Sequence, residues 1–339
     1  MRIQRQMRIA GIYPPRTHRD LVFYLLPINI PRNSHLRRLT SLAMDKLGIT
    51  RDDRIIIVMG PTGAGKSTFI SYATGDEGQD IGHSLKSFTR DIIVRKTIIK
   101  GESFALIDTP GFNDTTRSDY EILGEIAAFL TAAQKGRYRL DKLLYLHRIS
   151  DNRMAGTPLR NLELFASVCG NVAMPNVTIV TTMWNLVTPQ IGEERVRQLR
   201  ESFWTQMING GCDITKFRDS RPSAEDIIGQ KREAQTTLLA QELVTKGKNL
   251  NTTAAGIMLS KQLEKLLQDE KASSLKLQQL SQQQNNAAAR QHLESELNDI
   301  RKSISQKVSE LGQLHRSFLD IILGWFYNAV GRALVLFRF

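Results

Sequence analysis

The run Gly60-Pro61-Thr62-Gly63-Ala64-Gly65-Lys66-Ser67-Thr68 constrains this chain more than any other feature. It satisfies GxxxxGK[ST], follows the β-branched apolar residues 55–59 directly, and leads into a helical segment. Glycines at these positions let the backbone curl so that several N–H groups point at one anion. The helix that follows adds its positive N-terminus. Strand, loop, lysine and serine in this order predict a phosphate-binding loop running from Gly60 to Thr68. In it Lys66 reaches the outer phosphates and the Ser67 hydroxyl faces magnesium.

The texture around the loop is that of an α/β protein. Residues 92–99 and 103–107 read as two strands separated only by Lys100-Gly101-Glu102, too short a connection for a crossover helix, so they pair antiparallel. Residues 143–146 and 177–180 read as further strands, each preceded by a helical segment (119–133 and 158–169). Residues 190–208 predict one helix and residues 223–230 begin another. This alternation predicts a three-layer P-loop sandwich: a mostly parallel sheet with one antiparallel strand and helices on both faces.

A phosphate loop alone fits kinases, ATPases and GTPases. The second motif, Asp108-Thr109-Pro110-Gly111, separates them. An aspartate at the tip of that strand can hold magnesium through water, and the Gly111 N–H can meet a γ-phosphate. The antiparallel strand pair between the two motifs belongs to the Ras-like arrangement.

Two further runs complete the pattern: Leu146-His147-Arg148-Ile149-Ser150-Asp151-Asn152-Arg153 and Thr181-Thr182-Met183-Trp184-Asn185. With Gly60–Thr68 and Asp108–Gly111, they make residues 54–230 resemble the septin-like P-loop GTPases. That group includes septins, immunity-associated GTPases and chloroplast outer-envelope import receptors; the fungal G-domain proteins of the group are the most similar. The resemblance implies GTP as ligand, Mg2+ as cofactor, and dimerisation across the nucleotide face. It also implies a switch threonine on the metal, for which Thr89 is the best candidate. Ser223-Ala224 resembles the loop whose backbone meets the guanine O6. Thr182 and Asn185 fall where the base is read.

The base motif departs from the usual [NT]KxD. An aspartate there accepts from the guanine N1–H and 2-amino group, whereas Asn185 offers one carbonyl oxygen and one NH2. Losing a charge-assisted bond costs roughly 1.5–3 kcal/mol, about 10- to 150-fold in affinity. An asparagine also suits xanthine, so guanine preference rests here on resemblance. The residue after Gly111 is Phe112, which cannot orient water, and Asn113 is the nearby amide. No residue is assigned as catalytic. Hydrolysis without help is expected no faster than the ~10⁻⁴ s⁻¹ order of Ras alone. His147, Arg148 and Arg153 follow a strand end, on the rim where α/β ligands sit; a surface ion pair and a role on phosphate both remain open for the arginines.

The net charge of +12 is concentrated at the start, where residues 1–44 hold eight arginines and one acid. Four prolines in the same stretch break any long helix. Residues 1–50 read as a basic, disordered tail, with a mitochondrial presequence as the other reading. Nucleic acid is not the expected partner, since only this tail favours it. The two cysteines, Cys169 and Cys212, make no disulfide framework and suit a reducing, cytoplasmic setting.

The domain plan is then a tail (1–50), a G domain (51–230), a helical extension (231–317) and a hydrophobic segment (318–339). In the extension Leu293, Leu297, Ile300, Ile304, Leu311, Leu314 and Phe318 form a short heptad seam interrupted by Lys307, and the polar stretch 281–286 breaks it. Two readings stand: a partial coiled coil that supports a homodimer, or a helix packed on the G domain. Residues 318–337 nearly suffice for a membrane span, but Asp320, Asn328 and Arg332 interrupt them. A buried helix, a peripheral membrane contact and a tail anchor all remain open. The functional expectation is a slow GTPase acting as a molecular switch. The alternative is an assembly scaffold that holds nucleotide with little turnover.

Overall fold

A computed structural model of the chain describes residues 41–75, 92–112, 117–154, 156–230, 233–284 and 286–314. The basic segment 1–40, the candidate Thr89, the amide Asn113 and the hydrophobic segment 318–339 lie outside the described residues. Strands β1 (Arg54–Met59), β2 (Ile93–Ile99), β3 (Glu102–Asp108), β4 (Arg139–Arg148), β5 (Val177–Thr182) and β6 (Asp213–Lys216) form one sheet in the order β2-β3-β1-β4-β5-β6. β2 and β3 pair antiparallel, and the other neighbours are parallel. The expected fold class is the one observed.

The central strand explains why its sequence is apolar throughout. Every residue of β1 is buried. Ile55, Ile57 and Met59 join a core beneath one face, while Ile56 and Val58 join a second core beneath the other. A parallel strand covered on both sides has no solvent face to keep polar. Helices α3 (Asp119–Gly136) and α4 (Thr157–Ala173) supply the first cover, with Leu123, Phe129 and Phe165 at 1% exposure or less. Helices α2 (Lys66–Thr74) and α7 (Arg221–Gly229) supply the second, through Phe69, Ile70, Ile227 and Ile228. A capping box starts α3: Ser118 Oγ accepts from the Glu121 N–H at 3.2 Å and Glu121 accepts from the Ser118 N–H at 3.3 Å.

Two boundaries differ from the sequence expectation. The basic tail does not extend to residue 50. Residues 41–46 are helical (α1), and Ala43, Met44 and Ile49 are fully buried in the first core. Lys96 Nζ donates to Gly48 O at 3.0 Å and further ties this segment to β2. The six described helical residues are too few to show a periodicity, so the arginines upstream dominate the reading. The helix expected at 190–208 is two, α5 (Pro189–Ser202) and α6 (Thr205–Asn209). The break lets Trp204 turn fully inward.

The helical extension is a hairpin within the chain. α8 (Ala254–Gln283) and α9 (Ala287–Leu314) lie against each other, and the break falls in the polar stretch. Leu259 and Leu263 of α8 enter the core of the G domain, each burial worth about 1.5–3 kcal/mol. Gln262 Nε2 donates to Arg160 O at 3.0 Å on α4. Lys307, the polar interruption of the heptad seam, donates to Glu270 Oε1 of α8 at 2.7 Å, and Ser303 Oγ reaches the same oxygen at 2.7 Å. The seam therefore has a partner inside its own chain: Leu297 and Leu314 are buried there without a second copy. No described helix is long and apolar enough to cross a membrane.

Candidate functional site

The phosphate loop sits between the C-terminal end of β1 and the start of α2, as its sequence context requires. Lys66 is buried, and its Nζ donates to Gly60 O at 3.0 Å and Pro61 O at 3.1 Å, closing the loop beneath the ammonium. Gly60 has φ +144, and a Cβ there would lie 2.5 Å from Leu146 O. The position admits only glycine, because β4 runs against it. Thr182 Oγ1 donates to Ala64 O at 2.9 Å, so the end of β5 braces the middle of the loop.

The loop and the DxxG motif meet. Ser67 Oγ donates to Asp108 Oδ2 at 2.7 Å. Asp108 is buried at the end of β3, and desolvation raises its carboxyl above the ordinary carboxylate range against the opposing pull of Ser67, Lys66 and Arg95. Gly111 lies so close to the loop that a Cβ would fall 2.6 Å from Thr62 N and 3.0 Å from Lys66 Nζ. A hydroxyl and a buried carboxylate, both hard oxygen donors beside a lysine, fit a magnesium ion that carries phosphate. Phe112 is buried in the first core, and its carbonyl accepts from Asn161 Nδ2 at 3.4 Å. It brings no polar group to the phosphates.

The strand-end run also reaches the loop. Arg148 pairs with Asp151 at 3.0 Å, and its guanidinium lies over the loop, 3.4 Å from where a Cβ on Gly63 would stand. His147 is buried edge-on against Trp204, ring centroids 5.5 Å apart, and burial pushes it down to about 4. It is neutral at pH 7 and brings no cation to the phosphates. Arg153 is exposed.

Beside the loop lies a cavity of about 260 Å³. Gly65, Thr68 and Tyr72 of the loop and α2 line it, with Thr182, Met183 and Asn185 from the end of β5 and Phe217 and Asp219 from the connection after β6. Met183 sits at φ +59, and its Cε would lie 3.6 Å from a Cβ on Gly65. Trp184 does not line the cavity: its Nε1 donates to Thr181 Oγ1 at 3.0 Å, and Lys216 Nζ covers its ring at 3.5 Å. Ser223 and Ala224 do not line it either. They lie in the first turn of α7, where Ala224 is fully buried and Ser223 Oγ accepts from the Arg218 N–H at 3.1 Å. The lining residues after β6 are Phe217 and Asp219, which the sequence reading missed. The run Arg218-Asp219-Ser220 ahead of Pro222 signals a turn but not the cavity that the turn faces.

Residues 55–157 match the family model described as 50S ribosome-binding GTPase. The GTP-binding protein A of Dictyostelium discoideum is 27% identical over 139 residues, 40% of this chain and 29% of that protein. The tRNA modification GTPase MnmE of Blochmanniella floridana is 22% identical over 178 residues, 50% of this chain and 35% of that protein. The matches thus span about a third of the length of these curated relatives. Among solved structures, Toc33 from Arabidopsis thaliana in complex with Mg2+ and GMPPNP is similar with a TM-score of 0.39 at 15% identity, over 64% of this chain and 95% of that one. The family match and the joined loops agree: residues 55–157 match a GTPase family model, and the phosphate loop and DxxG of a P-loop G domain, both within that stretch, stand together.

Proposed function

We propose that this chain is a GTP-binding switch of the septin-like group that hydrolyses GTP slowly. The observation that carries the reading is the Ser67–Asp108 bond, which brings the phosphate loop and DxxG into one cluster beside Lys66, whose Nζ is held by the loop carbonyls of Gly60 and Pro61. Lys66 would neutralise the outer phosphates, and the backbone from Gly60 to Thr68 would cradle them. Ser67 and Asp108 would hold Mg2+, with Thr89 as the switch residue proposed to join them. A bound magnesium would neutralise charge developing on the phosphate oxygens. Gly111 lies close enough to the loop for its N–H to sense the γ-phosphate. Thr182 and Asn185 would face the base; Ser223 and Ala224 would support the loop that does so from behind.

A second reading, a scaffold that holds nucleotide with little turnover, has one observation in its favour. Phe112 occupies the position after DxxG and is buried, so the side chain there cannot orient water. Single-turnover release of phosphate from the full chain loaded with Mg2+-GTP separates the two. Release on the order of ~10⁻⁴ s⁻¹ supports the switch; bound GTP that stays intact over many hours supports the scaffold. GTP affinity unchanged by Lys66→Ala would remove both.

A further inference from the structure

The base-reading motif of this chain lacks its carboxylate, because Asn185 stands where the aspartate is expected. An amide presents one acceptor, whereas guanine offers two adjacent donors on one edge, N1–H and the 2-amino group. The cavity that Asn185 lines nevertheless contains a carboxylate. Asp219 lines it as well, from the connection between β6 and α7. It is the sole carboxylate among the described residues lining that cavity.

Asp219 has no ion pair among the described residues. Of the cations nearby in sequence, Lys216 stacks on Trp184 and Arg221 pairs with Glu225 at 2.7 Å. Its backbone is held at φ +45, a left-handed conformation that L residues other than Asn and Asp rarely adopt. The turn is anchored on its far side, where the Arg218 N–H donates to Ser223 Oγ at 3.1 Å. Apolar and aromatic neighbours, Met183, Tyr72 and Phe217, shape the rest of the cavity for a flat ring.

We infer that Asp219 is the guanine-specificity residue of this protein, its carboxylate replacing the one missing at position 185 and accepting from the N1–H and 2-amino group. This rests on the GTP-binding reading above. It also accounts for how a G domain can carry an asparagine in its base motif without giving up guanine. The discriminating contact has moved from the β5 connection to the β6 connection, both of which line the same cavity.

The test is a displacement series on the full chain with Mg2+, in which a fluorescent GTP analogue is competed by GTP, ITP and XTP. Wild type should rank GTP above both. Asp219→Asn should weaken GTP by about 10- to 150-fold, the loss of a charge-assisted contact, and move preference towards XTP. Asp219→Glu should keep the wild-type order. Asparagine tolerates the left-handed backbone at least as well as aspartate, so an unchanged thermal midpoint is expected alongside. If Asp219→Asn leaves the GTP/XTP ratio at its wild-type value, the inference is overturned while the GTP-binding reading stands. If wild type binds the analogue no better than Lys66→Ala does, the GTP-binding reading falls and takes the inference with it.

Discussion

Ser67 and Asp108, 41 residues apart in sequence, are joined by a 2.7 Å hydrogen bond in which the hydroxyl donates to a buried carboxylate. Strand β3 lies beside β1, with Val58 in register with Asp108, so two loops distant in the chain emerge at the same edge of the sheet. Sheet register, rather than loop flexibility, thus sets the spacing between the two groups proposed to hold magnesium.

Asp108→Asn keeps the shape and a hydrogen-bonding partner for Ser67 but removes the charge. It should uncouple GTP affinity from Mg2+, so that affinity with Mg2+ falls towards the value measured in EDTA. Desolvation holds the Asp108 carboxyl above the ordinary range. The Mg2+-dependent part of binding should therefore fade, as pH is lowered, sooner than a solvent-exposed carboxylate would allow. Affinity measured against pH with and without Mg2+ checks both; parallel curves for wild type and variant would exclude Asp108 from the metal.

Arg148 gives a weaker, electrostatic prediction. Its guanidinium stands over Gly63 but is also paired with Asp151 and partly exposed. Arg148→Ala should weaken nucleotide binding by about 2- to 5-fold, the range of a screened surface charge, and the difference should shrink as salt is raised. A loss insensitive to salt would assign Arg148 a structural role on the loop instead.

The parts of this molecule that could be read from the sequence are those whose cause is local. The apolar run of β1, the glycines of the phosphate loop and the short link between β2 and β3 each dictate their own geometry within about ten residues. Asp219 was not legible, because nothing in Arg218-Asp219-Ser220 says which cavity the turn will face; that depends on the pairing of β6 with β5. The match of Ser223-Ala224 to a base-reading loop went astray for the same reason. The chain meets the cavity before the helix begins, and the two residues belong to the helix. The heptad seam was visible, but its partner was not: a hairpin and a dimer present the same periodicity, and Glu270 opposite Lys307 is what distinguishes them.

Gly60 and Gly312 should respond oppositely to the same change. A Cβ at Gly60 would meet Leu146 O at 2.5 Å with φ at +144, so Gly60→Ala must displace β4 or the loop and should cost about 1–3 kcal/mol. Gly312 sits in α9, where a Cβ would find nothing within 4 Å, and Gly312→Ala should stabilise by about 0.5–1 kcal/mol. Urea unfolding of both variants checks the pair, with GTP affinity lost only in the first.

Glu310 makes the stability of the helical hairpin depend on pH. Desolvation, reinforced by Asp119 and Glu121 at the start of α3 and opposed by Lys307, raises its carboxyl from 4.5 to about 7. The folded chain thus holds this proton more tightly than the unfolded chain. Between the ordinary value and about 7, stability must fall as pH rises, and the benefit of the protonated form is gone above that window. Glu310→Gln mimics the protonated side chain at every pH. Its thermal midpoint should match wild type near pH 5 and exceed it at pH 8, with the gap opening through neutrality. A constant gap across that range would mean that Glu310 keeps its charge when folded, and that the contact between α9 and the first turn of α3 is looser than the buried Leu314 indicates.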